Sequence, residues 1–92
     1  MGAPRQYRIK TYVERDGEPV RLSGARWRHI QKKHPEVSDA QIRLTLGKPD
    51  SIERTNESSV YQRLGEGGMF CVAVRNVHGL YIRTAYIRPL KD

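Results

Sequence analysis

Cysteine occurs once in the 92 residues, at Cys71, which rules out an intrachain disulfide and a cysteine-rich metal site. That cysteine lies in an apolar run, MFCVAV, and reads as a core residue rather than a nucleophile. No apolar stretch approaches the length of a membrane span, and the opening MGAPRQYR has no signal-peptide core. The expected location is therefore cytoplasmic, with delivery into a target-cell cytoplasm as the alternative. Acidic residues are also scarce. Ten Asp and Glu face seventeen Lys and Arg, for a net charge of +7 and a pI near 10.0. Hydrophobic content is 37% and the mean hydropathy −0.73, so one small domain, residues 1–92, should fold around a thin core.

Twelve of the seventeen cations are arginine, whose planar fork suits phosphate better than the point charge of lysine. Such an excess attracts polyanions, nucleic acid first among them. No long basic amphipathic helix points instead to a membrane surface.

The pattern along the chain is ββ-αα-ββββ. Residues 6–22 read as a hairpin: Tyr7, Ile9, Thr11 and Val13 alternate with Arg8, Lys10 and Tyr12, Asp16-Gly17 turns, and residues 19–22 return as a short edge strand. Residues 23–47 read as a helical pair. Ser23 caps the first helix, which Pro35 ends at or before His34. Ser38 and Gln41 form a capping box for the second, which Gly47 and Pro49 close. Residues 51–88 read as strands, the last two forming the clearest pair across His78-Gly79. The expected class is α+β: two helices packed on a four-stranded antiparallel sheet, preceded by an N-terminal β-hairpin. On the last strand strict alternation puts Leu80, Ile82, Thr84 and Tyr86 on one face, and Tyr81, Arg83, Ala85 and Ile87 on the other.

Several chemistries are disfavoured. No glycine-flanked serine elbow is present, and GEGG precedes a strand rather than a phosphate-binding helix. His29 and His34 are five positions apart, about 140° around a helix, and diverge rather than chelate. No metal or other cofactor is expected. RNA cleavage by the substrate's own 2′-hydroxyl fits better, since it needs only a base, an acid and cations. His34, at a helix C-terminus, sits where the backbone's partial negative charge favours binding a proton, which suits a general acid or base, and Glu36 follows it. The competing reading makes His34 a packing residue behind Trp27 and Ile30. His29, between Arg26 and Lys33, is a second acid–base candidate, with a solvated surface histidine as its rival. Arg63, Arg75, Arg83 and Arg88 supply cations to strands, while Tyr61, Tyr81 and Tyr86 can stack bases or donate protons.

The segments WRHIQKKHPEV, IRLTLGKPDSIER, VYQRLG, FCVAVR and LYIRTAYI resemble small bacterial and phage nucleases of the barnase–EndoU–colicin–RelE superfamily. The phage-type branch is the nearest in pattern, with its W-x-H-I-x-x-x-H-P-E start and T-A-Y finish. The resemblance spans about residues 22–88. It implies a metal-independent, toxin- or effector-like endoribonuclease with two helices on a four-stranded antiparallel sheet. His34, Glu36 and His29 correspond to the helical motif, and Thr84 and Tyr86, with Arg83 beside them, to the strand motif. Relatives often have paired tyrosines where this chain has Val60-Tyr61, so only Tyr61 carries over.

The expected catalytic set is thus His34, Arg83, Thr84, Tyr86 and His29, supported by Glu36. Arg26, Lys33, Tyr61, Arg63, Arg75 and Arg88 are the expected RNA contacts. Expected partners are RNA and, for a toxin, an acidic antitoxin or immunity protein. The alternative is a non-catalytic nucleic-acid-binding or protein-interaction module of a mobile element.

Overall fold

Two serine caps start the two helices of the computed structural model, which describes residues 9–90. Ser23 accepts from the Arg26 backbone N–H and opens α1 (Gly24–Lys33), and His34 is its C-cap. Ser38 and Gln41 bond each other's backbone N–H in a full capping box, opening α2 (Asp39–Gly47). The strands are β1 (Lys10–Val13), β2 (Pro19–Leu22), β3 (Ser51–Arg54), β4 (Ser58–Gly65), β5 (Gly68–Asn76) and β6 (Leu80–Arg88). No helix among the described residues is long and apolar enough to cross a membrane.

The class is α+β, but the sheet has six strands in the order β1-β2-β6-β5-β4-β3 and is mixed, not four-stranded and antiparallel. The difference lies in the hairpin. β2 pairs parallel with β6 at Val20–Leu80 and Arg21–Tyr81, which brings β1 and β2 into the sheet. Pro19–Leu22 is consequently an internal strand, with Pro19 at the end of its ladder opposite Val13. Residues 6–8 of the expected hairpin, Tyr7 among them, lie outside the described residues. Of the two alternating sets, the one with Tyr12 faces inward: Tyr12 is buried and Val13 is 61% exposed.

Tyr12 can turn inward because its hydroxyl has a partner on α2, the partly exposed Asp39. It donates to Asp39 Oδ1 at 2.6 Å, in the first turn of α2. Lys10 and Arg43 also reach Asp39, and Lys10 lies 4.8 Å above the Trp27 ring. The hairpin is thereby fastened to both helices.

The core joins Tyr12, Val20 and Leu22 with Ile30, Ile42, Leu46, Tyr61, Val72, Val74, Ile82 and Ala85. α2 touches β1 at one end of the sheet and β4 and β5 toward the other, so the sheet wraps around it. The curl is closed by Glu14. Its buried carboxylate accepts from the Tyr61 hydroxyl at 2.6 Å and from the backbone N–H groups of Asp16 and Glu18 at the hairpin turn. Tyr61 is therefore a core residue, 2% exposed, and not the exposed stacking platform expected of it.

Facing of side chains on β6 also departs from strict alternation. Ala73 pairs with Thr84 and the next residue, Val74, with Ile82, so Arg83 is an extra residue in a β-bulge. Leu80, Ile82, Ala85 and Ile87 turn to the core. Thr84 and Tyr86 pair with Ala73 and Cys71 on the opposite face, and Tyr81 pairs there with Arg75. The expected division into Leu80-Ile82-Thr84-Tyr86 and Tyr81-Arg83-Ala85-Ile87 fails at the bulge, since one inserted residue shifts the phase of everything after it.

The Tyr61 hydroxyl, withdrawn from water and bonded to Glu14, is pushed up to about 12 from 10.0, and burial raises Tyr12 likewise. Folding favours the protonated phenols. Their stabilisation is complete below pH 10.0, the value in the unfolded chain, and declines as pH rises toward about 12. Thermal unfolding should show the midpoint falling above pH 10.0. Tyr61→Phe should flatten part of that fall, while costing about 1–3 kcal/mol at neutral pH because Glu14 loses a buried donor.

Candidate functional site

α1 runs alongside β6, and the site lies where they meet. Residues of the first turn of α1 line a surface hollow with the middle of β6, and the C-cap of α1 reaches Tyr86 farther along the strand. The hollow, about 540 Å³, is walled by Ser23, Arg26, Arg75, Tyr81, Arg83 and Thr84 among others. Three arginines thus line one opening together with Tyr81, which is 39% exposed. The bulge makes this possible. In a regular strand Arg83 and Thr84 would face opposite ways, yet both line the hollow.

His34 is held by its own backbone. Its N–H donates to the Ile30 carbonyl at 2.7 Å, its carbonyl accepts from Val37 N–H at 3.0 Å, and the Gln31 amide donates to the Val37 carbonyl at 2.9 Å. The half-exposed imidazole has Nδ1 3.7 Å from Glu36 Oε2 and its ring centroid 6.2 Å from that of Tyr86. Burial raises the Tyr86 hydroxyl above its ordinary value, with Cys71 adding to the effect and the Arg88 charge opposing it. At neutral pH it is a phenol able to donate a proton. Burial likewise pushes the Cys71 thiol up, so the thiolate needed of a nucleophile is disfavoured.

Thr84 and Tyr86 are two residues apart on one face, about 7 Å of strand. The arginine hollow and the His34–Tyr86 pair are therefore neighbours along β6. Arg26, Arg75, Arg83 and Thr84 meet in the hollow, and His34, Glu36, Tyr86 and the field of Arg88 meet beyond it.

The remaining expected residues lie elsewhere. His29 and Lys33 are exposed on α1 and line neither this hollow nor its neighbour on the β3–β4 turn. Arg63 turns its guanidinium to the Lys48 carbonyl, and its register partner Phe70 puts it on the core side of the sheet. Gln62 was absent from the expected set, yet it pairs with Cys71, which pairs in turn with Tyr86. Its amide donates to Glu53 at 3.0 Å and its carbonyl accepts from Ser51 at 3.2 Å. The alternation of Val60, Gln62 and Leu64 along β4 was the available signal. Among the described residues no group of three His, Cys, Asp or Glu side chains could hold a metal ion.

Deleting Arg83 leaves Leu80, Ile82, Ala85 and Ile87 in regular alternation with Tyr81, Thr84 and Tyr86. The variant should keep the native circular dichroism spectrum and a thermal midpoint near that of the parent. Inserting one alanine between Thr84 and Ala85 instead adds a second extra residue, turns Ala85 and Ile87 outward, and should abolish cooperative unfolding. Equal damage from the deletion and the insertion would contradict the bulge.

No protein-family model matches this chain, and no curated protein or solved structure matches it either.

Proposed function

We propose that this protein is a metal-independent endoribonuclease of the barnase–EndoU–colicin–RelE type, acting at the β6 face. The observation that carries the reading is the juxtaposition along one strand of an arginine hollow with a histidine–tyrosine pair whose ring centroids are 6.2 Å apart. Charge supports it as well, because +7 on 92 residues draws a polyanion to the surface.

In this reading His34, oriented by Glu36, takes the proton of a ribose 2′-hydroxyl. The freed oxygen attacks the adjacent phosphorus, and the bond from phosphorus to the 5′-oxygen breaks. Tyr86, kept protonated by burial, gives its proton to that leaving oxygen. Protons balance, and the products are a 2′,3′-cyclic phosphate and a 5′-hydroxyl. Arg83 carries the charge gathering on the non-bridging oxygens, with Arg75 and Arg26 holding the neighbouring backbone. Thr84 positions the nucleotide between them. His29, Arg63 and Tyr61 have no part in this scheme. An acidic antitoxin or immunity protein covering the same face would block it.

Incubation with total RNA in EDTA tests the proposal. The parent should cleave, His34→Ala should lose about 10²- to 10⁴-fold in rate, and Arg83→Ala about 10²- to 10³-fold. Cleavage untouched by either substitution removes these residues from the site. Binding without cleavage would instead make the chain a nucleic-acid-binding module.

A further inference from the structure

We infer that the turn between β3 and β4 forms a second nucleotide subsite that selects an amino-bearing base, adenine, cytosine or guanine, over uracil. The inference rests on the reading of the β6 face as an RNA site and adds what that site recognises. Arg75 and Arg83 wall the hollow beside α1, and the same two side chains wall a second hollow of about 410 Å³ on their other side. The rest of that hollow is Thr55, Asn56, Glu57 and Ser58. An arginine pair shared between two adjoining hollows suits one backbone phosphate between two nucleotides.

The two hollows differ in what they offer a base. Beside α1 the Tyr81 ring presents a flat apolar surface, which stacks on any base and discriminates little. At the turn, Glu57 is the one acidic residue of its hollow, and its carboxylate accepts hydrogen bonds without donating them. It lies 3.9 Å from the Arg75 guanidinium, a loose pair on an exposed side chain. A phosphate can take its place on Arg75, freeing the carboxylate to accept from a base amino group. Adenine, cytosine and guanine carry that donor, whereas the single imino N–H of uracil is flanked by two carbonyl oxygens that the carboxylate repels. Asn56, exposed beside it, can both donate and accept, completing recognition of a base edge. Both hollows need the bases unstacked and turned toward protein, so the ligand is a single strand.

The test uses 2′-O-methyl tetranucleotides, which cannot be cleaved, with fluorescence anisotropy as the readout. The parent should bind adenosine and cytidine tetramers about tenfold tighter than the uridine tetramer, about the discrimination of one good hydrogen bond. Glu57→Gln should bring that ratio to near one without weakening uridine binding, since removing a negative charge cannot weaken a polyanion's affinity. Arg75→Ala should weaken all tetramers alike and make the salt dependence shallower by about 0.7 in log–log slope. A ratio near one in the parent, a ratio unchanged in Glu57→Gln, or absence of binding overturns the subsite. Loss of the ribonuclease reading looks different: the base preference persists while RNA in EDTA stays intact. Both positions are exposed, and unchanged circular dichroism spectra would confirm that the variants fold.

Discussion

The phase of β6 is the constraint on which the rest depends. A strand serves two faces by alternation, and one residue too many inverts every side chain that follows. Here the extra residue is Arg83, absorbed by a bulge opposite Ala73 and Val74, so that Ala85 and Ile87 return to the core. A bulge gives up regular pairing and adds nothing to core packing. What it provides is two consecutive polar residues, Arg83 and Thr84, that both stay out of the core and both line one hollow. A regular strand would give only one.

A scaffold must hold that geometry, and this chain has little apolar mass with which to do so. Two buried tyrosines compensate. Tyr61 bonds Glu14 from β4 to the hairpin turn, and Tyr12 bonds Asp39 from β1 to α2. Each phenol fills core volume and ends in a short hydrogen bond to a carboxylate, so the polar end carries no desolvation debt. The hydrogen bond from Tyr12 is the chief reason the Asp39 carboxyl is held below its usual value. Among the described residues every buried side-chain nitrogen and oxygen has a partner. None of the lysines and arginines among the described residues is buried, and an excess of one sign favours a polyanion over self-association.

Local signals in the sequence were legible and remote pairings were not. Ser23, Ser38 with Gln41, and Pro35 mark the helix ends because caps act within four residues. His78 and Gly79 both adopt positive φ, as a tight turn between β5 and β6 requires. The parallel pairing of β2 with β6 spans about sixty residues and leaves no local trace, which is why the hairpin looked like an appendage. Tyr61 looked exposed for the same reason, since its partner is forty-seven positions away. The bulge had a visible sign: apolar residues run Leu80, Ile82, then Ala85, Ile87, a step of three where two is regular. Of the site, His34, Arg83, Thr84 and Tyr86 were readable as residue types, but only the bulge joins what strict alternation divided.

The proposed RNA surface is one continuous face along β6, from the β3–β4 turn past Arg83 to His34. Its test is the set of backbone and side-chain NMR shifts that move as a non-cleavable single strand is titrated in. Perturbations should concentrate at Asn56, Arg75, Tyr81, Arg83, Thr84, Tyr86 and His34, and spare the outer side of α2 at Ala40, Leu44 and Lys48. Perturbations centred on α2, or confined to His29 and Lys33 on the outer side of α1, would contradict it.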